Sequence, residues 1–190
     1  MCHAVINTGT RHSTISAVTA LLIHTYSYFL HRMQFEHLIE INDLLNPLVD
    51  VLTRDQLWRG LVLRAEQPKL FVSYLDECTH VERDGDVLMR ELRYDALLIR
   101  DTVTFTPQHS VHYDVPAQGE IPASRLVVTI EEPQEGALFV RFAYDDGRSE
   151  DDNMDAFYSE FRRSAYKEAD IDTIKTIREL ATQGRLQLPV

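Results

Sequence analysis

Acidic residues are missing from the first 35 positions of this 190-residue chain, and every Asp and Glu lies from Glu36 onward. Cysteine is almost absent. Cys2 lies in the tail and Cys78 in an expected strand, which excludes a disulfide framework and suits a reducing, cytoplasmic compartment. Cations are outnumbered, 19 Lys and Arg against 30 acids, for a net charge of −11. That balance argues against nucleic acid or an anionic membrane as the partner, because both need a basic patch. The seven glycines are scattered, with neither the GxGxxG nor the P-loop spacing, so phosphate and dinucleotide cofactors are not expected. Long apolar runs are lacking as well. Ile15 to Leu30 is broken by Ser16, Thr19, His24, Thr25 and Ser27, and falls short of the roughly 20 apolar residues of a stable membrane span.

The leader, residues 1–33, also lacks a small-x-small cleavage site and the Arg content of a transit segment. Met33 as the working start, with the leader an upstream extension, is the plainer alternative. The leader is expected to be dispensable, residues 34–184 to form one domain, and residues 185–190 to be a tail.

What is present reads as alternating strands and two kinds of helix. Gln34–Asn42 alternates Phe35, His37, Ile39 and Ile41 against Glu36, Leu38 and Glu40, the pattern of a strand. Thr53-x-x-Gln56 has capping-box spacing, and Leu57, Trp58, Leu61, Val62 and Ala65 form one face of the helix that follows. Pro68 opens a second short helix. From Cys78 to Asp145 come strands and turns, with Asp84-Gly85 as the first hairpin turn and Asp95-Ala96 as the second. Met154–Gln183 is the final helix, capped by Gly184. Its stripes, Phe157, Phe161, Ala165 and then Ile174, Ile177, Ala181, are out of phase, so a break is expected between Lys167 and Asp172. The order is strand, two short helices, six strands, long helix. This predicts an α+β fold with a curved, antiparallel, seven-stranded sheet around the C-terminal helix.

Hairpin arithmetic predicts the register. Arg83 opposite Asp86 sets Val81 against Leu88 and Thr79 against Arg90, with His80 on the outer face. The next hairpin pairs Leu92 with Ile99, Arg90 with Asp101 and Leu88 with Val103. The last pairs Ile130 with Leu138, Val128 with Val140 and Leu126 with Phe142. The inner face so defined contains Val81, Leu88, Leu92, Tyr94, Ile99, Val103, Phe105, Val111, Tyr113, Leu126, Val128, Ile130, Leu138, Val140, Phe142 and Tyr144. Two charges interrupt it, Arg90 and Asp101, facing each other.

An apolar wall with few orienting polar groups is the usual make-up of a small-molecule pocket. Leu88, Leu92, Tyr94, Val103, Phe105, Tyr113, Val128, Val140, Phe142 and Tyr144, with Phe157 and Phe161 of the helix, are the candidate ligand wall. Arg90 and Asp101 are the candidate catalytic pair, Arg90 to polarise a carbonyl and Asp101 as acid/base. The bland alternative is a buried cross-strand ion pair that only sets register. No metal is expected. His109 and His112 fall on opposite strand faces, and Asp145, Asp146, Asp151 and Asp152 lack EF-hand spacing and read as a solvated loop. A Cys78–His80 nucleophile is disfavoured by the predicted register.

The stretch Leu52-Thr53-Arg54-Asp55-Gln56-Leu57-Trp58-Arg59-Gly60-Leu61 resembles the segment after the first strand in AtaL-like proteins. So do Arg64-Ala65-Glu66-Gln67-Pro68, Phe71 and Cys78, the Arg90-Glu91 strand and the Thr173–Gly184 helix. AtaL-like proteins are a branch of the START and polyketide-cyclase-like (SRPBCC) superfamily, and the similarity runs from about Gln34 to Leu186. The resemblance implies a helix-grip fold with an apolar cavity between sheet and helix. It also implies an aromatic or polyketide-like ligand, as for a cyclase- or isomerase-like tailoring protein of secondary metabolism. It carries no catalytic residue set onto this chain. A non-catalytic carrier and an interaction protein with a filled core are the rival readings.

Overall fold

A computed structural model describes residues 32–46, 48, 50–149 and 153–187, with side chains left aside at 32, 33, 147–149 and 153–157. The expectations for the leader and for Phe157, Asp151 and Asp152 therefore lie outside the described residues.

β1 (Arg32–Glu40) leads through a loop to α1 (Arg54–Glu66) and a 3-10 turn (Pro68–Leu70). Six strands follow: β2 (Glu77–Asp84), β3 (Val87–Tyr94), β4 (Leu97–Thr106), β5 (Ser110–Val115), β6 (Ser124–Glu131) and β7 (Phe139–Ser149). α2 (Asn153–Thr182) closes the fold. All strand pairs are antiparallel, in the order β1-β7-β6-β5-β4-β3-β2, so the first strand pairs with the last. Among the described residues no helix is long and apolar enough to cross a membrane.

The local signals explain the ends. Thr53 accepts from the Gln56 amide while the Gln56 side chain accepts from the Thr53 amide, the reciprocal capping box. At the far end Gly184 sits at φ +70°, with Arg185 N–H on the Leu180 carbonyl and Gly184 N–H on that of Ala181. This is a Schellman cap. Gly60 has a different purpose. A Cβ there would lie 2.6 Å from Ile177 Cγ2, so its lack of a side chain lets α1 and α2 approach closely.

Four expectations change. The first hairpin turns on Gly85-Asp86, with Asp84 opposite Val87 and Arg83 opposite Leu88. The ladder then slips at Val81, placing His80 against Arg90 and Cys78 against Leu92. Val81 is the bulged residue and 60% exposed, and Cys78 and His80 share a face with Leu92 and Arg90. The last hairpin pairs Ile130 with Val140, Val128 with Phe142 and Leu126 with Tyr144, two residues from the expected register. Leu138 stays in the turn because its carbonyl accepts from Ile41 and Asn42. The slip is even, so each side chain keeps its predicted face.

The third change is in α2, which is a single unbroken helix. Its inward face is Ser159, Tyr166, Asp170, Thr173, Ile174, Ile177 and Leu180, a regular helical spacing that is polar in its first half. Phe161, taken as part of an apolar stripe, is 68% exposed. The acidic stretch also differs, since Asp145 and Asp146 lie in β7 and Asp146 is buried against Arg162 at 3.3 Å.

Candidate functional site

Arg90 and Asp101 face each other across β3 and β4, 4% and 6% exposed. Arg90 Nε donates to Asp101 Oδ1 at 2.9 Å and Nη2 donates to Oδ2, a bidentate fork. Arg90 Nη1 donates to the Ala65 carbonyl at 2.6 Å, and His80 Nε2 lies 2.9 Å from the Glu66 carbonyl. Both carbonyls belong to the last turn of α1, which has no intrahelical donor for them. The pair thus clamps the C-terminal end of α1 onto the sheet, where a cation also suits the helix dipole. Burial works against the Arg90 charge, but Asp101 outweighs it and raises its pKa. Cys78, beside this pair, has its thiol pKa pushed up by burial.

A second polar group lies deeper and had no apolar pattern to announce it. Asp170, at the middle of α2, is 0% exposed. The Tyr144 hydroxyl from β7 donates to its two carboxylate oxygens at 2.9 and 2.7 Å. His37 Nε2 from β1 is 3.3 Å away, off the line of a hydrogen bond, and Arg64 Nη2 from α1 is 3.9 Å away. Burial pushes the Asp170 pKa up to about 7 against the pull of Arg64 and Tyr144. Burial and then Lys167 lower that of His37, which favours a neutral ring. Aromatic rings surround the group. Tyr144 stacks on Tyr166 at 4.3 Å, and His37 on Phe142 at 5.4 Å.

Tyr113 joins the two polar groups. Arg64 and Arg90 each place a guanidinium over its ring, at 5.2 and 5.4 Å. The signal missed in the sequence was polar: Ser159, Tyr166, Asp170 and Thr173 repeat at helical spacing. So was the basic Arg64, on the flank of α1's apolar face.

The predicted wall divides in two. Leu88, Val103, Val128, Val140 and Phe142 are wholly buried in the core with Leu57, Leu61 and Ile177, and Phe105 and Tyr113 nearly so. Tyr94 and Tyr144 are half-buried, as are Ile99 and Leu126, and Leu92 lies beside them. Register puts Phe35, Tyr144, Leu126, Tyr113, Val103 and Leu88 in one row across the sheet. Every residue predicted for the inner face lies on it except Val81, which is bulged outward, and Leu138, which is buried in the turn before β7. The exposed Phe161 does not join them.

A seven-stranded antiparallel sheet of this topology with a long C-terminal helix across it is a helix-grip fold. Residues 39–184 match the family profile of acetylaranotin biosynthesis cluster protein L, and the chain belongs to this AtaL family. Similar solved structures include StfQ, the di-domain ARO/CYC from the steffimycin biosynthetic pathway (TM-score 0.65, 8% identity, 88% of this chain and 56% of that one). The chain thus spans about half of that protein. The ZhuI aromatase/cyclase from Streptomyces sp. R1128 is similar at TM-score 0.58 and 11% identity, covering 83% of this chain and 98% of that one. Ara h 8.0201 is similar at TM-score 0.54 and 10% identity, covering 80% and 99%. At these identities what is shared is the fold. No curated protein matches the sequence.

Proposed function

We propose that the protein binds a hydrophobic, aromatic or polyketide-like small molecule between the inner face of the sheet and α2. It would act there as a cyclase- or isomerase-type tailoring protein of secondary metabolism in the cytoplasm. One observation carries the reading. The inner face passes from fully buried aliphatic packing at Val111 and Val128 to half-buried Tyr94, Ile99, Leu126 and Tyr144, with the buried Arg90, Asp101 and Asp170 among them. A filled core has no reason to leave large apolar groups half-covered around buried charges, whereas a binding site needs both. The likeness to aromatase/cyclases supports the ligand class. Arg90 keeps two of the five donors of an arginine beyond those given to Asp101 and Ala65, and these serve to polarise a ligand carbonyl, with Asp101 as acid/base.

A second reading, a non-catalytic carrier, is favoured by the role of Arg90 in holding α1. Native mass spectrometry of the protein from a producing host tests binding. A co-purifying small molecule supports the reading, and turnover of that molecule separates cyclase from carrier. A ligand-free chain that also binds no aromatic probe sinks both.

A further inference from the structure

Of Arg64, Arg90 and Arg178, Arg64 is the one whose guanidinium is held by no carbonyl or carboxylate at hydrogen-bond distance among the described residues. Arg90 gives three donors to Asp101 and Ala65, and Arg178 gives two to the carbonyls of Asp50 and Ile41. Arg64 is 18% exposed, yet among the described residues no hydrogen bond ties it to a carbonyl or carboxylate. Its nearest carboxylate oxygen, on Asp170, is 3.9 Å off and already takes the Tyr144 hydroxyl. The Tyr113 hydroxyl takes one of the Arg64 donors, and the others, on a mostly buried guanidinium, favour the arrival of an anionic acceptor. The guanidinium also stays charged. Burial opposes the cation, but Tyr113, Tyr144 and Asp170 together outweigh it and raise its pKa.

We propose that Arg64 anchors an anionic oxygen of the hydrophobic ligand, a carboxylate, enolate or phenolate, and that this oxygen takes the place of Asp170 as its counter-charge. The inference rests on the ligand-binding reading above and names its ligand class. Tyr113 and Tyr144 flank the anchor, so the acceptor atom is joined to an aromatic or flat conjugated body. The preference cannot come from the overall field, because a protein of net charge −11 repels anions at long range.

A consequence follows for protons. Asp170 faces His37 from β1, Tyr144 from β7 and Arg64 from α1, with Tyr166 and Lys167 on its own helix. A ligand anion beside Arg64 removes the cation's pull on Asp170 and adds a like charge. Both effects favour the neutral carboxyl, so binding near neutral pH draws a proton from solvent onto Asp170.

The test uses two probes of one shape, 2-naphthoate and methyl 2-naphthoate, competing with a hydrophobic dye on the full chain. The wild type is expected to bind the acid at least about tenfold more tightly than the ester, as one charge-assisted fork allows. Arg64→Met should bring the ratio near one with ester affinity kept, and Arg64→Lys should keep part of the preference. Calorimetry at pH 7 in buffers of different ionisation enthalpy should show proton uptake with the acid in the wild type and none in Asp170→Asn. Equal affinity of acid and ester in the wild type overturns the anchor while leaving ligand binding standing, and needs no variant. A preference that survives Arg64→Met also overturns it. Displacement by neither probe overturns the anchor together with the binding reading.

Discussion

The Tyr144 hydroxyl bridges both carboxylate oxygens of Asp170, at 2.9 and 2.7 Å, tying the inner face of β7 to the middle of α2. The same carboxyl titrates near neutrality, about 7 against an ordinary value of 3.8. Between those values the folded state holds a proton that the unfolded chain has lost. Stability from this group is therefore full below about pH 4, declines as pH rises, and is gone above about pH 7. His37 has the opposite sign, since its lowered pKa favours the fold above its ordinary 6.5. The stability of the wild type relative to Asp170→Asn isolates the carboxyl, because His37 is common to both. That difference, from melting temperatures at pH 4 to 8, should fall with rising pH and level off above 7. A flat or rising difference would contradict the assignment.

Removing Arg90 or Asp101 alone strands a buried charge and should cost on the order of 3–5 kcal/mol. Arg90→Met with Asp101→Leu removes both charges and leaves the Ala65 carbonyl without its donor, a smaller penalty of about 1–3 kcal/mol. The double variant should fold and, on the proposed function, lose ligand binding or turnover. Denaturant midpoints and dye titration together check this. A double variant that folds and binds as the wild type leaves the pair a helix clamp only.

Gly60→Ala sets helix propensity against a clash. Alanine gains up to about 1 kcal/mol over glycine in a helix. The new methyl, however, meets three atoms of the fully buried, branched Ile177 side chain at 2.6 to 3.0 Å. Overpacking should win by about 1–3 kcal/mol and lower the melting temperature. Adding Ile177→Val should recover part of the loss, and a more stable Gly60→Ala chain would show that the helices separate freely.

Asn42 is a buried three-way clip. Its amide donates to the carbonyls of Leu52 and Gly136 at 2.9 and 3.0 Å and accepts from the Leu52 amide at 3.0 Å. Asn42→Leu leaves the Leu52 amide and carbonyl unpaired, each worth about 1–3 kcal/mol when buried, while the Gly136 carbonyl keeps the Leu138 amide. Urea denaturation should show a loss of several kcal/mol. A loss below about 0.5 kcal/mol would mean that water reaches the clip.

The parts of this fold legible in the sequence are those governed by local rules. Thr53 and Gln56 announce the start of α1, Gly184 the end of α2, and Asp95-Ala96 sets a register that brings Arg90 opposite Asp101. The family was legible too, in the stretch around Trp58 and Gly60, whose glycine proves to be the α1–α2 contact. What stayed hidden depended on the tertiary fold. The bulge at Val81 moved Cys78 and His80 to the inner face, and nothing local marks it. Asp170 was hidden by the apolar criterion itself, which followed the exposed Phe161 instead of the polar row Ser159, Tyr166 and Asp170. Arg64 looked like an ordinary flank cation until Tyr113 and Tyr144, from distant strands, closed around it.

Titrating an environment-sensitive hydrophobic dye into the folded protein shows most directly whether the native interior accepts a hydrophobic ligand. Binding should be saturable and stoichiometric, with no change in melting cooperativity, and an aromatic polyketide-like compound should displace the dye. Dye binding that emerges only as the protein begins to unfold would contradict ligand binding and show a core filled by its own side chains.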